Sequence, residues 1–261
     1  TPYHFQSRIT LGEWLKEEGI PALEIKDTRL LTQIIREKGT VLGKIVNGKD
    51  INFYDPDNEN LVEQVSIKKI TVNEISKKAK TILLIDCGAK KNIERALIKR
   101  GVNVITVPWD FDLSVSDFKN KINGVVISNG PGNPKFVTKT IENIKKLFKL
   151  NLPILGVCLG NQLLTLAAGG DTGKLKYGHR SQNQPCTMVG TNRCYITTQN
   201  HGFEVKRIPK DFKPWFINAN DGSNEGIIHK THPIMSAQFH PEATPGPEDT
   251  EWIFDYFLER L

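Results

Sequence analysis

A cysteine held between two glycines is the strongest prospect of chemistry in this sequence. Leu152–Pro153–Ile154–Leu155–Gly156–Val157–Cys158–Leu159–Gly160–Asn161–Gln162 is an apolar run that ends in Gly156, with the thiol next but one and a helical pattern after Gly160. It reads as strand, sharp turn and helix with a nucleophile at the turn, the Gly-x-nucleophile-x-Gly elbow built on cysteine instead of serine. A turn this tight strains its central residue, and side chains at Gly156 or Gly160 would crowd it. A cysteine ahead of a helix also feels the positive helix end, which favours thiolate over thiol. The plain alternative is a small buried hydrophobe, the commoner fate of a cysteine. The paired glycines and the strand-to-helix change weigh against it.

A thiol nucleophile needs a base, and the base needs an acceptor to orient it. Two histidines compete. His201 lies in Gln199–Asn200–His201–Gly202–Phe203, a polar turn after a strand, whereas His240 ends an apolar run and is followed by Pro241 and Glu242. His240 with Glu242 supplies base and orienter together. The segment Ser128–Asn129–Gly130–Pro131–Gly132 follows another apolar strand. Turn chemistry alone would explain its composition. Functionally, a backbone N–H in such a loop, uncovered by side chains, can meet a developing oxyanion, with the N–H of Leu159 as second donor. No Gly-x-x-x-x-Gly-Lys-Ser/Thr pattern supports a phosphate cradle.

The elements that must position these groups are regular from Thr81 onward. Thr81–Asp86, Asn103–Val107, Gly124–Ser128 and Leu152–Val157 read as strands, with helices at Lys91–Arg100, Val137–Leu150 and after Cys158. Alternation of this kind implies parallel βαβ units, and active sites in such sheets lie beyond the carboxyl ends of the strands. Beyond Gly169 the expected strands are Cys194–Thr198, Trp215–Asn218, Gly226–His229 and Ile234–Phe239, closed by a helix at Glu248–Leu261. The fold expected is α/β, a mostly parallel sheet covered by helices on both faces, preceded by a smaller N-terminal α/β domain. In residues 1–79, Leu11–Gly19 and the segment from Asp27 to Gly39 read as helices, Val41–Val46 as a strand, 47–60 as a loop and Lys68–Lys80 as a linker. The domains expected are therefore 1–79 and 80–261.

Composition excludes several classes. No apolar run spans a bilayer and no signal-peptide pattern opens the chain, so no membrane role is expected. Cys87, Cys158, Cys186 and Cys194 form no Cys-x-x-Cys pair, and the six histidines form no metal-like sequence cluster. That argues against a disulfide scaffold or a metal site and fits a reducing, cytoplasmic compartment. The net charge of +6 comes from lysines on expected helix faces and turns, without interleaved aromatics, so no nucleic-acid partner is expected.

Taken together, Ser128–Gly132, Gly156–Gln162, Gln199–Phe203 and Phe239–Glu242 resemble the class I (triad) glutamine amidotransferases. Ile85–Asp86–Cys87–Gly88, Pro108–Trp109–Asp110 and Asp27–Thr28–Arg29 narrow the resemblance to the glutaminase small subunit or domain of carbamoyl-phosphate synthetase. Asn183–Cys186 and Arg193–Thr197 are similar to the eukaryotic pyrimidine-pathway type, whose glutaminase is fused to the synthetase. The resemblance implies Cys158 as nucleophile, His240 as base and Glu242 as orienter. It implies oxyanion donors at Gly132 and Leu159, and glutamine held by Gly130, Gly132, Leu159, Gln162, Asn200, Gly202 and Phe203. His201 matches a second family histidine with an architectural role. The implied reaction is hydrolysis of glutamine to glutamate and ammonia. The ammonia would pass to a large subunit or fused synthetase domain, for pyrimidine or arginine synthesis. ATP and magnesium would belong to that partner, and no cofactor to this chain. A γ-glutamyl hydrolase, or a domain kept for regulatory or assembly contacts, is the alternative.

Two departures from the family pattern stand out. Asn161 replaces the usual histidine after the second elbow glycine, which implies tuning. The N-terminal domain begins late, as in a shortened form, which implies weaker glutamine binding. The loop Asn129–Asn133, lacking evident side-chain anchors, is expected to shift into alignment only with the partner bound.

Overall fold

The structure is a computed structural model and describes residues 7–112 and 122–261. It contains two compact units, Thr1–Tyr54 and Asp55–Leu261. The break therefore falls before the stretch read as a linker.

In the first unit, helix α1 (Leu11–Glu17) starts at a capping box, in which Thr10 and Glu13 satisfy each other's backbone N–H groups. Helix α2 (Thr28–Lys38) starts at Asp27, whose carboxylate accepts the Leu30 N–H at 2.9 Å, and stops at Gly39 with φ 82°. Neither helix buries a residue. Val41–Val46 is not a strand. No described residue pairs with it, and Val41, Leu42, Ile45 and Val46 are exposed. An isolated extended segment gains no ladder hydrogen bonds and little burial, so β-branched and apolar residues alone do not make a strand. Among its described residues the first unit is helical, not α/β.

The second unit is built on a sheet whose strands are β1 (Thr71–Asn73), β2 (Thr81–Asp86), β3 (Asn103–Pro108), β4 (Gly124–Ile127), β5 (Ile154–Val157), β6 (Asp171–Met188), β7 (Cys194–Arg207), β8 (Phe212–Asn218), β9 (Asn224–His229) and β10 (Ile234–Ala237). Their order is β1-β3-β2-β4-β5-β10-β9-β7-β6-β8. The run β3-β2-β4-β5-β10 is parallel. Helices α3 (Leu61–Val65), α4 (Lys91–Lys99), α5 (Thr138–Leu147), α6 (Leu159–Ala167) and α7 (Trp252–Leu258) complete the unit. Side chains of β2 alternate between two cores. Leu83 and Ile85 join Ile144, Leu147, Leu159 and Leu163 of α5 and α6, whereas Ile82 and Leu84 join Ile93, Leu97, Phe254 and Phe257 of α4 and α7. Helices thus cover both faces of the parallel run.

The sheet is mixed, however, and not mostly parallel. β1 runs antiparallel to β3, and β6, β7, β8 and β9 pair antiparallel with one another, as β9 does with β10. Short turns join most of these later strands, and a parallel pair would need a long crossover. β1 lies inside the stretch read as a linker. β6 had no apolar signal, because most of its side chains are partly or fully exposed and many are polar or charged. Among the described residues no helix is long and apolar enough to cross a membrane.

Candidate active site

Three neighbouring parallel strands bring the candidate groups together. Gly156 of β5 is in register with Ile127 of β4, and Val157 of β5 with Ala237 of β10. The carboxyl ends of β4, β5 and β10 therefore lie side by side, delivering the Ser128–Gly132 loop, Cys158 and the Gln238–Glu242 turn to one edge. The Cys158 N–H donates to the Ala237 carbonyl at 2.8 Å, which carries the pairing one residue beyond the strands.

Cys158 has φ 52° and ψ −100°, the strained left-handed side of backbone space, at the cap position of α6. Both elbow glycines are sterically required. A Cβ on Gly156 would stand 2.6 Å from the Gly160 carbonyl oxygen, and one on Gly160 only 2.2 Å from that of Ile127. Gly160→Ala is accordingly expected to lower the unfolding free energy by about 2–4 kcal/mol, because neither backbone can retreat without breaking strand–helix packing. A urea titration of the variant measures this, and an unchanged midpoint would contradict the steric argument.

His240 is buried, and its Nδ1 lies 2.7 Å from Glu242 Oε1. Burial opposes charge on this ring. The Cys158 sulfur, within hydrogen-bonding reach, and the Glu242 carboxylate outweigh it and raise the pKa to about 10. Glu242 is fully buried, which would raise its pKa, yet His240 and the Lys90 ammonium, 3.2 Å from Oε1, hold it below the ordinary range. Two further thiols, Cys87 and Cys186, are buried away from this unit. Desolvation pushes Cys87 to about 12 and Cys186 higher still, so both stay protonated at neutral pH.

His201 is placed as a structural group. Its Nδ1 lies 2.8 Å from the Phe203 carbonyl oxygen and its Nε2 3.0 Å from Gln199 Oε1. Burial lowers its pKa to about 3. A ring so engaged is a poor general base.

Gly130 and Leu159 meet at the loop. A Cβ on Gly130 would fall 2.1 Å from the Cys87 carbonyl oxygen and 2.7 Å from Leu159 Cδ2. Leu159 is the first residue of α6, so its N–H has no partner within the helix. Gly132 has φ 85° beside Leu61. The loop is better tethered than its sequence suggests: the Lys90 N–H donates to Asn129 Oδ1 at 2.8 Å, and Asn129 Nδ2 donates to the Gly88 carbonyl at 3.3 Å. Gln162 donates to the Phe203 carbonyl at 3.0 Å and to Gln238 Oε1 at 3.1 Å, joining α6 to β7 and to the turn that follows β10. On β7, Asn200 is exposed while Gly202 and Phe203 are half-buried.

Two residues at this edge escaped the sequence reading. Lys90 touches both the loop, through its N–H, and the Glu242–Ala243 turn, through its ammonium, which donates to the Ala243 carbonyl at 2.8 Å. Gln238 places Nε2 3.7 Å from Cys158 Sγ, and its Oε1 accepts from Asn161 at 2.9 Å. Their only sequence signals were position, Lys90 just after a strand and Gln238 two residues before His240. The side-chain oxygen of Asn161 in turn accepts from Ser236 Oγ at 2.8 Å, so the departure at Asn161 steadies Gln238 beside the thiol.

Comparison with known proteins gives the chain's family. The chain is 50% identical over 266 residues to the multifunctional protein CAD of Squalus acanthias, covering 99% of this chain and 12% of that protein. It is 45% identical over 269 residues to the carbamoyl phosphate synthase arginine-specific small chain of Saccharomyces cerevisiae, covering 99% of this chain and 65% of that one. This chain thus spans only part of each relative. Among solved structures, a putative GMP synthase component from Thermoplasma acidophilum superposes with a TM-score of 0.62 at 27% identity, over 70% of this chain and 94% of that one. Residues 1–45 match the family model for the carbamoyl-phosphate synthase small chain, CPSase domain. Residues 83–260, which hold the elbow, the loop and the His240–Glu242 turn, match that for glutamine amidotransferase class-I, and the chain belongs to that family.

Proposed function

We propose that this chain hydrolyses glutamine to glutamate and ammonia with Cys158, His240 and Glu242, and that the ammonia serves a carbamoyl-phosphate synthetase partner. The observation that carries the reading is the strained thiol of Cys158 within reach of His240, itself 2.7 Å from Glu242. The sulfur attacks the side-chain amide carbon, and the C–O π electrons move onto oxygen. Leu159 N–H and the Gly130–Gly132 loop hold that oxyanion. Imidazolium His240 gives its proton to the leaving nitrogen, the C–N bond breaks, and ammonia departs from a γ-glutamyl thioester. His240 then takes a proton from water, whose oxygen displaces the sulfur and releases glutamate. Gln162, Asn200, Gly202 and Phe203 hold the glutamine.

The partner, a large subunit or fused synthetase domain, would supply the ATP and magnesium chemistry. Support comes from the names of the relatives, one an arginine-specific synthase chain and one a multifunctional protein. Unpaired cysteines favour the cytoplasm as compartment. The test is glutamine hydrolysis by the chain with and without the synthetase. Labelling of Cys158 by an electrophilic glutamine analogue, blocked by glutamine, supports the reading, and the absence of both labelling and hydrolysis overturns it.

The loop gives a sharper check. Gly130→Ala must move the loop, since its Cβ has no room against the Cys87 carbonyl. Loss of an aligned oxyanion donor costs on the order of 10²–10³ in kcat. Thiol alkylation by a small neutral reagent, which needs no oxyanion hole, should stay close to the wild-type rate. The Asn129 tethers argue that assembly with a partner raises kcat by less than a freely moving loop would allow.

A further inference from the structure

On the antiparallel side of the sheet, three strands collect acceptor atoms that the proposed hydrolysis does not use. His179 of β6 and His201 of β7 are opposite each other in register, with ring centroids 4.9 Å apart. Glu225 of β9 is fully buried beside them. Each histidine has one nitrogen engaged outward. His179 Nε2 lies 2.8 Å from Asp221 Oδ2, and His201 Nδ1 lies 2.8 Å from the Phe203 carbonyl oxygen. Both partners only accept, so both outward nitrogens carry protons. Burial keeps the His201 ring neutral, so its inward nitrogen presents a lone pair. The Glu225 and Asp221 carboxylates raise the His179 pKa to about 9, and its inward nitrogen presents one once an ion displaces the proton.

The inward nitrogens face several acceptors, with the Asn218 amide nitrogen 3.5 Å from His179 Nδ1 as a donor among them. His179 Nδ1 is 2.8 Å from Gln199 Oε1 and 3.0 Å from Glu225 Oε1. His201 Nε2 is 3.0 Å from the same Gln199 oxygen and 3.8 Å from Glu225 Oε2. The Gln199 oxygen is turned inward because its NH₂ donates to Thr197 Oγ1 at 3.1 Å and to Cys186 Sγ at 3.2 Å. Glu225 Oε1 accepts from Asn218 and Ser223, whereas Oε2 is buried with no hydrogen-bond partner among the described residues. A proton on His179 Nδ1 satisfies one of these contacts. It leaves His201 Nε2 and Glu225 Oε2 facing each other without a donor between them.

We propose that His179 Nδ1, His201 Nε2, Glu225 and Gln199 Oε1 form a closed site for a divalent transition metal, zinc being the ion whose preferences they fit. Two imidazoles, a carboxylate and an amide oxygen suit zinc and disfavour magnesium or calcium, which take oxygen. Tetrahedral zinc would hold such ligands about 3.3–3.5 Å apart. The four separations above span 2.8 to 3.8 Å, and the histidine and Glu225 ligand atoms all lie within 4.8 Å of one another, so the ion would draw the more distant of these atoms together. The outward hydrogen bonds to Asp221 and Phe203 are those that orient metal-binding imidazoles. Half-buried His179 and exposed Asp221 mark the way in. Four protein ligands leave no open position, so the ion is structural. It ties β9 to β7, which otherwise pair only at Val205 and Asn224, and it steadies Thr198, whose carbonyl accepts the His240 N–H at 2.9 Å.

The test needs no activity measurement. Metal-stripped full-length chain is titrated with zinc chloride by calorimetry, with magnesium chloride as control, and its melting is followed with and without zinc. The expected result is one zinc bound per chain, a higher Tm with zinc, and no heat with magnesium. Asp221→Asn, at an exposed position, is expected to weaken zinc binding about 10–100-fold through the loss of its hold on His179. His179→Ala and Glu225→Gln should abolish it. Absence of saturable zinc binding to the wild-type chain overturns the proposal. Equal binding by His179→Ala and the wild type, each shown to be folded, overturns it as well.

Discussion

Cys158→Ser is expected to lower kcat for glutamine hydrolysis by at least about 10⁴-fold, the scale on which losing one member of a nucleophile–base unit disables the whole. The substitution is close to isosteric, and the elbow depends on Gly156 and Gly160 more than on the side chain between them. Melting should therefore change little. A hydroxyl stays protonated at neutral pH and is a far weaker nucleophile than sulfur, so attack must await proton removal. In a complex with the synthetase partner, free ammonia should restore carbamoyl phosphate formation, because the triad is bypassed. Turnover near the wild-type level by the serine variant would remove Cys158 from the nucleophile's role. Failure of ammonia to rescue the complex would count instead against the proposed coupling.

His240→Asn is expected to cost at least about 10³-fold in kcat, since the same ring protonates ammonia and then activates water. His201→Asn, at a ring engaged with Phe203 and Gln199, should act mainly on glutamine KM and on stability. A reversal of the two effects on kcat would reassign the base. The pH dependence gives a second readout. The pKa of His240 is raised to about 10 in the folded chain, against about 6.5 for an unperturbed imidazole. Its contribution to stability is then complete below about pH 6.5, declines as pH rises, and is gone above about pH 10. The stability difference between wild type and His240→Asn should narrow across that window in denaturant titrations. A difference that widened with pH would contradict the assigned charge.

Much of the site was legible because its parts are local. The elbow follows from steric rules within a few residues, and both elbow glycines prove to have backbone carbonyls where a Cβ would go. His240 and Glu242 are near neighbours in sequence, so their 2.7 Å contact needs only a turn. The caps at Asp27 and Gly39 were legible for the same reason. Val41–Val46 shows the limit of such rules, since a run of strand-favouring residues makes a strand only if another strand accepts it.

The tertiary structure decided which distant segments became neighbours. Placing β10 beside β5 in parallel, with Ala237 opposite Val157, set His240 against Cys158 and left His201 on β7 with its Nδ1 committed to the Phe203 carbonyl. Lys90, Gln238 and the His179–His201–Glu225 cluster were invisible for one reason: their partners lie on other strands. β6 was missed because an outer, partly solvated strand has no continuous apolar run to announce it. Short-range sterics and hydrogen bonding are written residue by residue. The register of a sheet is fixed by the combined burial and pairing of many segments, and no single segment carries it.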